Sequence, residues 1–172
     1  IQVEVEKSPL RLVFRKPNGE LLFAEECGAY TRPDVRGFRF RLSGHEAIWG
    51  TGARAVGLDR RGQKLELYNQ PHYGYGEGSP NLNYCVPVYE SSRGYMVLFD
   101  NAQKGFMDIG ATEPDVLELG AIGGDMDYVV LTAAHPLELQ KNYAKLTGFQ
   151  PLPPIWAMGN LTSRFGYETQ EQ

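Results

Sequence analysis

The chain has 172 residues, of which 42% are hydrophobic and 22% are charged, a composition typical of one folded domain or of one domain and the start of another. Its 17 Lys and Arg and 21 Asp and Glu give a net charge of −4, which excludes the strongly basic surface of a nucleic-acid-binding protein. No apolar run approaches the ~18 residues of a transmembrane helix, so we expect no membrane span. Because the chain begins at Ile1 rather than Met, we expect a processed protein or an excised fragment.

Short strands separated by turns are predicted along most of the chain. Apolar residues alternate with polar ones from the start, at Ile1, Val3 and Val5. Asn18-Gly19 lies between two apolar runs and predicts a hairpin, because both residues tolerate positive φ. The predicted strands are residues 1–6, 10–15, 21–24, 37–42, 47–50, 64–68, 95–99, 106–109, 116–119 and 128–131. About ten short strands at this spacing predict a mainly β fold, an antiparallel β-sandwich rather than a parallel sheet.

One helix is predicted near the end of the chain. Pro136 suits its first residue, where the missing N–H is harmless, and Gly148 suits its end. Between them Leu139, Tyr143 and Leu146 form one apolar stripe at helical spacing.

The character of the sequence changes near residue 150. Residues 150–154 contain three prolines and predict a stiff extended linker. Residues 155–159 are almost continuously apolar, like a strand buried on both faces. We therefore expect a β-sandwich domain at residues 1–150, and at residues 151–172 a linker with the start of a second domain.

A long loop at residues 68–80 is the main candidate for a binding site. It is longer than a simple connection requires and contains three tyrosines, a histidine and an Asn-Gln pair. Tyrosine offers a flat face and a hydroxyl, while Asn, Gln and His can hydrogen-bond a polyol. The residues support equally a functional loop and a self-contained surface loop.

No cofactor or metal is expected. The histidines His45, His72 and His135 lack metal-ligand spacing, and Cys27 and Cys85 do not complete a zinc site. The glycines match neither a phosphate loop nor a dinucleotide fingerprint. Two cysteines leave open both the presence of a disulfide and the cellular compartment, whether cytoplasm, periplasm or exterior.

Ordered segments over residues 50–167 carry a resemblance to a known family. Residues 146–159, from Leu-Thr-Gly through Pro-Pro-Ile-Trp-Ala-Met-Gly, are the most specific, together with Ser163-Arg164. The others are residues 50–54 (Gly-Thr-Gly-Ala-Arg), 67–69 (Leu-Tyr-Asn), 83–87 (Asn-Tyr-Cys-Val-Pro), 94–101 (Gly-Tyr-Met-Val-Leu-Phe-Asp-Asn) and 127–128 (Asp-Tyr). In these segments the sequence resembles the N-terminal region of glycoside hydrolase family 31, the α-glucosidase and α-xylosidase family. Ala53 and Asn83 depart from its pattern, which has an acid and a tyrosine there.

The resemblance implies a β-sandwich similar to the aldose-mutarotase fold, followed by a catalytic (β/α)8 barrel whose first strand is residues 157–161. It implies a retaining glycosidase with an aspartate nucleophile and an aspartate acid/base, both on later barrel strands. A barrel needs ~250 residues. We therefore expect an N-terminal fragment of an α-glycosidase that has no catalytic residue and is inactive by itself, with the missing barrel as its partner.

The resemblance also implies a role for the loop from Asn69 to Ser79, which in the family shapes the sugar subsites at the barrel mouth. The expected contacts to an oligosaccharide or α-glucoside substrate are Asn69, Gln70, His72, Tyr73 and Tyr75. The family commonly has an aspartate after its Tyr-Asn start, and here Gln70 stands in its place.

Two other functions compete with this one. A free-standing carbohydrate-binding sandwich would have no use for the hydrophobic strand expected within residues 155–167. An aldose-epimerase-like enzyme would need a histidine and an acid paired in the sheet cleft. The sequence leaves open glucoside or xyloside specificity, linkage, hydrolysis or glycosyl transfer, and oligomeric state.

Overall fold

The computed structural model describes residues 1–70, 74–79, 82–161, 166 and 169. Eleven strands lie within these residues: β1 (Gln2–Lys7), β2 (Leu10–Arg15), β3 (Leu21–Arg32), β4 (Val35–Arg41), β5 (Ile48–Gly52), β6 (Gln63–Leu67), β7 (Cys85–Ser91), β8 (Tyr95–Asp100), β9 (Gly105–Ile109), β10 (Val116–Ala121) and β11 (Asp127–Thr132). One α-helix, α1 (Pro136–Thr147), and a 3₁₀ helix at Ile155–Met158 follow them. No helix in these ranges is long and apolar enough to cross a bilayer.

The strands form two antiparallel sheets. One sheet has seven strands in the order β1-β2-β3-β4-β10-β9-β6, and the other has four in the order β11-β8-β7-β5. Strands β5 and β6, which are consecutive in the chain, are therefore each the last strand of a different sheet. The expected mainly β, antiparallel sandwich is confirmed.

Aromatic rings from both sheets meet in the core. The Phe23 ring of β3 stacks on Phe14 at 4.4 Å and on Tyr95 of the opposite sheet at 4.3 Å. Tyr128 of β11 meets Phe38 of β4 edge-on at 4.7 Å. Such ring pairs are favourable beyond their buried area and fix how the two sheets sit on each other.

The hairpin predicted at Asn18-Gly19 is confirmed. Gly19 has φ +85° and its N–H donates to the carbonyl of Lys16 at 2.9 Å, which closes the turn between β2 and β3. Strand β3 runs on to Arg32, beyond the predicted end at residue 24, because β-bulges near Glu25 and Cys27 carry it past residues that break the alternation.

The sequence analysis did not predict strand β7, whose interior contains Pro87. Proline has no N–H to donate and normally argues against an interior strand. Here the register of β5 against β7 shifts between Gly50 and Gly52, and pairing of β7 with β8 starts only at Val88. Pro87 thus lies where the ladder is already interrupted, so its missing N–H costs little.

The predicted helix is confirmed from Pro136 to its end at Gly148, which has φ +100°. Leu139 is fully buried against Val88 and Met96 on the outer side of the four-stranded sheet. The burial of the apolar stripe decreases towards the end of the helix, where Leu146 is half exposed.

The strand expected at residues 155–159 is wrong. Ile155–Met158 forms one turn of 3₁₀ helix, in which Ile155 is 91% exposed and Trp156 71% exposed. A strand needs a neighbour to receive its backbone hydrogen bonds. No described strand lies beside this segment, so a local i→i+3 turn forms instead. The domain division near residue 150 remains a prediction.

The outer face of the seven-stranded sheet is covered by ion pairs. Arg39 donates to Glu113 at 2.7 Å, to Glu26 at 2.6 Å and to Glu118 at 3.0 Å. Its hydrogen bonds to Glu113 and Glu26 raise the pKa of Arg39. Arg39 therefore forms ion pairs with three carboxylates on this face.

Cys27 and Cys85 are both free thiols, so they form no disulfide with each other.

Candidate functional site

The backbone bends sharply at residues 50–52, at the end of β5. Gly50, Thr51 and Gly52 have φ of +97°, +70° and +88°, and Thr51 is the one described non-glycine residue with positive φ. A Cβ on Gly52 would lie 2.7 Å from the Cα of Cys85, so only glycine fits against β7 there. A β-branched residue in the left-handed region is strained. The bend must therefore be held by its surroundings.

Two buried arginines hold the bend. Arg54 Nε donates to the Thr51 carbonyl at 3.1 Å, and Arg60 Nε donates to the Gly50 carbonyl at 3.3 Å. Arg54 and Arg60 are only 8% and 7% exposed, and their burial lowers the pKa of both guanidinium groups. Arginine keeps its charge in such settings because its unperturbed pKa is very high. The carbonyls that leave the ladder are thereby satisfied by strong, charged donors.

The loop that follows β6, residues 68–84, is tied down at both ends; we call it the edge loop. At its base, Asn69 Oδ1 accepts a hydrogen bond from the Cys85 N–H at 2.6 Å. Four backbone hydrogen bonds join Ala53 and Ala55 to the second half of the edge loop, residues 78–84. Ala53 pairs with Tyr84 and Leu82, and Ala55 pairs with Ser79 and Gly78. The described parts of the edge loop therefore have a defined position on the sandwich.

The structure describes three of the five predicted site residues, Asn69, Gln70 and Tyr75. Asn69 is exposed, but its side-chain amide oxygen is already occupied by the N–H of Cys85, the residue that follows the edge loop. Gln70 is exposed. Tyr75 is 44% exposed, and its hydroxyl accepts a hydrogen bond from Asn83 Nδ2 at 3.3 Å. His72 and Tyr73 lie outside the described residues, so their predicted contacts remain predictions.

Sequence reasoning gave no role to the arginines that position the edge loop, although Arg54 ends the family-like segment at residues 50–54. A signal was present, because two glycines that flank a threonine indicate a bend whose carbonyls need donors. Sequence reasoning also missed Tyr84, which is exposed beside Asn83 at the base of the edge loop. The described site therefore offers ring faces, amides and hydroxyls, which suit binding of a polyol rather than proton transfer.

Three acids are buried in the described part of the sandwich, Glu25, Glu46 and Asp108, and all three accept hydrogen bonds from the protein. Asp108 accepts from the N–H groups of Ala111 and Thr112. Glu25 accepts from the Leu12 N–H and from the Tyr128 hydroxyl, both at 2.7 Å. Glu46 accepts from Ser91 and Tyr95, each at 2.5 Å. No group of three His, Cys, Asp or Glu that could hold a metal exists in the described ranges.

Comparison with known proteins places the chain in a family. Residues 1–108 match the family model of the glycosyl hydrolase 31 N-terminal galactose mutarotase-like domain. Alpha-glucosidase 2 of Bacillus thermoamyloliquefaciens is 31% identical over 99% of this chain and 22% of the relative. Alpha-xylosidase XylQ of Lactiplantibacillus pentosus is 33% identical over 74% of this chain and 16% of the relative.

Solved structures give the same result. A Flavobacterium johnsoniae GH31 dextranase, solved as a mutant with isomaltotriose, superposes with a TM-score of 0.86 at 28% identity, over 91% of this chain and 20% of the dextranase. The chain thus spans about a fifth of the length of these relatives. Because the family model covers more than half of the chain, the chain belongs to glycoside hydrolase family 31 and contains its N-terminal galactose mutarotase-like domain.

Proposed function

We propose that this chain is the N-terminal part of a retaining α-glycosidase that hydrolyses α-linked glucosides, and that its edge loop shapes the substrate site. The relatives support the substrate class, since they include an α-glucosidase, an α-xylosidase and a dextranase. The catalytic aspartates and the barrel that holds them are proposed to belong to the same polypeptide outside this chain.

The observation that carries the proposal is the pinned edge loop. Its ends are fixed by Asn69 and by the backbone of residues 53–55, while Tyr75 and Tyr84 remain exposed. A loop held in this way presents its rings and polar groups in a fixed position, so little ordering is needed when a ligand binds. A sugar is recognised by such a combination of flat apolar faces and hydrogen-bonding groups.

The described residues do not supply the chemistry themselves. Retaining hydrolysis needs two carboxyl groups about 5–5.5 Å apart across the scissile bond. The buried carboxylates Glu25, Glu46 and Asp108 are each occupied by internal donors. We therefore expect the 172-residue chain alone to be inactive.

A cluster of exposed apolar side chains supports the proposed barrel. Leu152, Ile155, Trp156 and Met158 are each more than two-thirds exposed and follow one another after the helix. Contiguous apolar surface of this kind usually marks an interface. We propose that the barrel of the same polypeptide covers these residues, with residues 151–172 leading into it.

The test is hydrolysis of p-nitrophenyl α-glucoside and α-xyloside by the intact polypeptide and by the 172-residue chain. We expect activity in the intact form only, and more on the glucoside. In the intact form, the double variant His72→Ala, Tyr73→Ala should raise KM about tenfold through lost hydrogen bonds. The matched control is Leu58→Ala, at an 83% exposed position, which should leave KM unchanged.

Two outcomes would contradict the proposal. Unchanged KM in the double variant would remove the edge loop from the substrate site. Sugar binding without hydrolysis in the intact form would favour a carbohydrate-binding module instead.

A further inference from the structure

A cavity lies at the other end of the sandwich from the edge loop. This cavity of ≈ 680 Å³ opens where the β2–β3 turn, β5, the β7–β8 turn and the start of α1 come together. Its lining includes Trp49, Glu90, Arg93, His135 and Pro136; we call it the helix-start pocket. Its volume falls in the range of small-molecule sites.

The pocket has one aromatic face beside a fixed carboxylate. Trp49 is 38% exposed, and the β5–β7 register places it directly opposite Glu90. Glu90 Oε2 accepts a hydrogen bond from Gln140 Nε2 of α1 at 2.7 Å, which holds the carboxylate in place. Among the described residues, Glu90 Oε1 has no hydrogen-bond partner. An oriented acceptor with spare capacity therefore lies next to an indole ring.

Two donors complete the wall. Arg93 is anchored by its Nε, which donates to the Leu22 carbonyl at 2.9 Å, and by its Nη2, which donates to Leu21. Its Nη1 makes no hydrogen bond within the described ranges. His135, the residue before the first turn of α1, makes no side-chain cap and is exposed. Arg93 and Glu90 are thus held by part of their hydrogen-bonding capacity and keep the rest for a ligand, while His135 is exposed at the rim.

The combination favours a neutral sugar over other small ligands. A mostly apolar wall with a few fixed polar groups is the usual design of a ligand site, and an indole face suits a ring that is apolar on one side. Glu90 and Arg93 bring opposite charges to the wall and the charge of Lys16 is paired with Glu20 at 2.8 Å, so the named charged groups give the pocket no excess charge that would select an ion. A carboxylate, an imidazole and a guanidinium can each bond a hydroxyl.

The pocket is separate from the edge loop. The edge loop ends where β7 begins at Cys85, whereas the pocket is lined by residues 90–94 at the far end of β7. Five strand residues, 85–89, lie between the last residue of the edge loop and Glu90, so the Cα atoms of residues 84 and 90 are roughly 20 Å apart. We propose that the helix-start pocket is a second saccharide-binding site, which holds a glucosyl unit of an oligosaccharide on Trp49. The choice of a glucosyl ligand rests on the proposed function, but the site itself does not.

The test uses the fluorescence of Trp49 in the 172-residue chain. The sequence has two tryptophans, so Trp156→Phe leaves Trp49 as the sole tryptophan reporter. We expect maltotriose or isomaltotriose to change its emission saturably, and xylose to do so more weakly. By calorimetry, Trp49→Ala should abolish binding, and Glu90→Gln should weaken it about tenfold through a weakened hydrogen bond. Leu58→Ala is the matched control and should bind like the parent.

The outcomes separate this site from the edge loop. Absence of saturable binding at millimolar sugar, or binding that survives Trp49→Ala, would overturn the proposal. Binding that is lost in Tyr75→Ala but kept in Trp49→Ala would assign the sugar to the edge loop, which overturns the pocket and supports the proposed function. If the intact polypeptide fails to hydrolyse glycosides while the Trp49 signal persists, the proposed function fails and the pocket stands.

Discussion

Arg54 Nη2 donates to the main-chain carbonyl of Glu66 at 2.8 Å, and this hydrogen bond joins the two sheets at their edge. Arg54 follows β5, the last strand of the four-stranded sheet, and Glu66 belongs to β6, the last strand of the seven-stranded sheet. The edge loop begins two residues after Glu66. Arg54 is therefore a positioning residue for that loop, since it ties its base to the strained bend at Thr51.

Replacing Arg54 should destabilise the contact between the bend at Thr51 and the base of the edge loop. We expect Arg54→Ala to lower the free energy of unfolding by about 2–3 kcal/mol, because the carbonyls of Thr51 and Glu66 lose a charged donor. Urea unfolding measures the loss, and hydrogen exchange should show faster opening of residues 53–55 and of the edge loop. Arg36→Ala is the control, since Arg36 is exposed and makes no side-chain hydrogen bond to described residues. An equal effect of both variants would contradict the assignment.

Two glycines with nearly equal φ should respond very differently to alanine. Gly19 has φ +85° with open space around its Cβ position, so Gly19→Ala should cost only the ~1 kcal/mol of backbone strain. Gly52 has φ +88°, and its Cβ would collide with the backbone of Cys85 and Val86 at 2.7 Å. Gly52→Ala should therefore cost about 3 kcal/mol or more. Thermal unfolding of both variants measures the difference, and similar losses would contradict close packing at Gly52.

The hydroxyls of two buried tyrosines should have opposite effects on stability. The Tyr95 hydroxyl donates to Glu46 at 2.5 Å, so Tyr95→Phe should cost about 2 kcal/mol. The Tyr89 hydroxyl is fully buried near that of Tyr95, but it has no partner with hydrogen-bond geometry in the described part of the chain. Tyr89→Phe should therefore be neutral or stabilising by up to about 1 kcal/mol. Urea unfolding of the two variants tests this, and a large loss in Tyr89→Phe would reveal a partner for that hydroxyl.

These two tyrosines and Tyr128 predict a loss of stability at alkaline pH. Burial, the largest cause in each case, raises the pKa of Tyr89, Tyr95 and Tyr128 above the ordinary value. In the folded state they keep their protons where the unfolded chain, with a tyrosine pKa of about 10, loses them. Their contribution is therefore fully present below about pH 10 and falls as pH rises towards the folded pKa values.

The measurement is the free energy of unfolding between about pH 9 and about pH 11. Each such tyrosine adds up to about 1.4 kcal/mol per pH unit to the slope above pH 10. Tyr89→Phe removes one titrating group and no hydrogen bond of standard geometry, so it should flatten the decline. A slope unchanged in that variant would show that Tyr89 titrates normally in the fold.

Local sequence signals predicted correctly those elements whose conformation depends mainly on residues within the same segment. Strand β2 and the helix from Pro136 have the predicted bounds, because alternation, the N-terminal proline and the terminal glycine act within a few residues. Strand β7 was missed, because Pro87 is tolerated only where β5 bends away from it. That bend depends on a partner strand that is distant in sequence.

The sequence by itself determined the mainly β class, the hairpin at Asn18-Gly19, the helix and the resemblance to the family, since these depend on local periodicity or on ordered motifs. Only the tertiary structure decided which groups meet. In the fold, the Asn69 side chain accepts a hydrogen bond from Cys85. Arg60 and Arg54 donate to the carbonyls of Gly50 and Thr51, respectively. Ile155–Met158 forms an exposed 3₁₀ turn. The physical reason is that a hydrogen bond or a buried contact between distant residues depends on how the sheets pack, which no local pattern records.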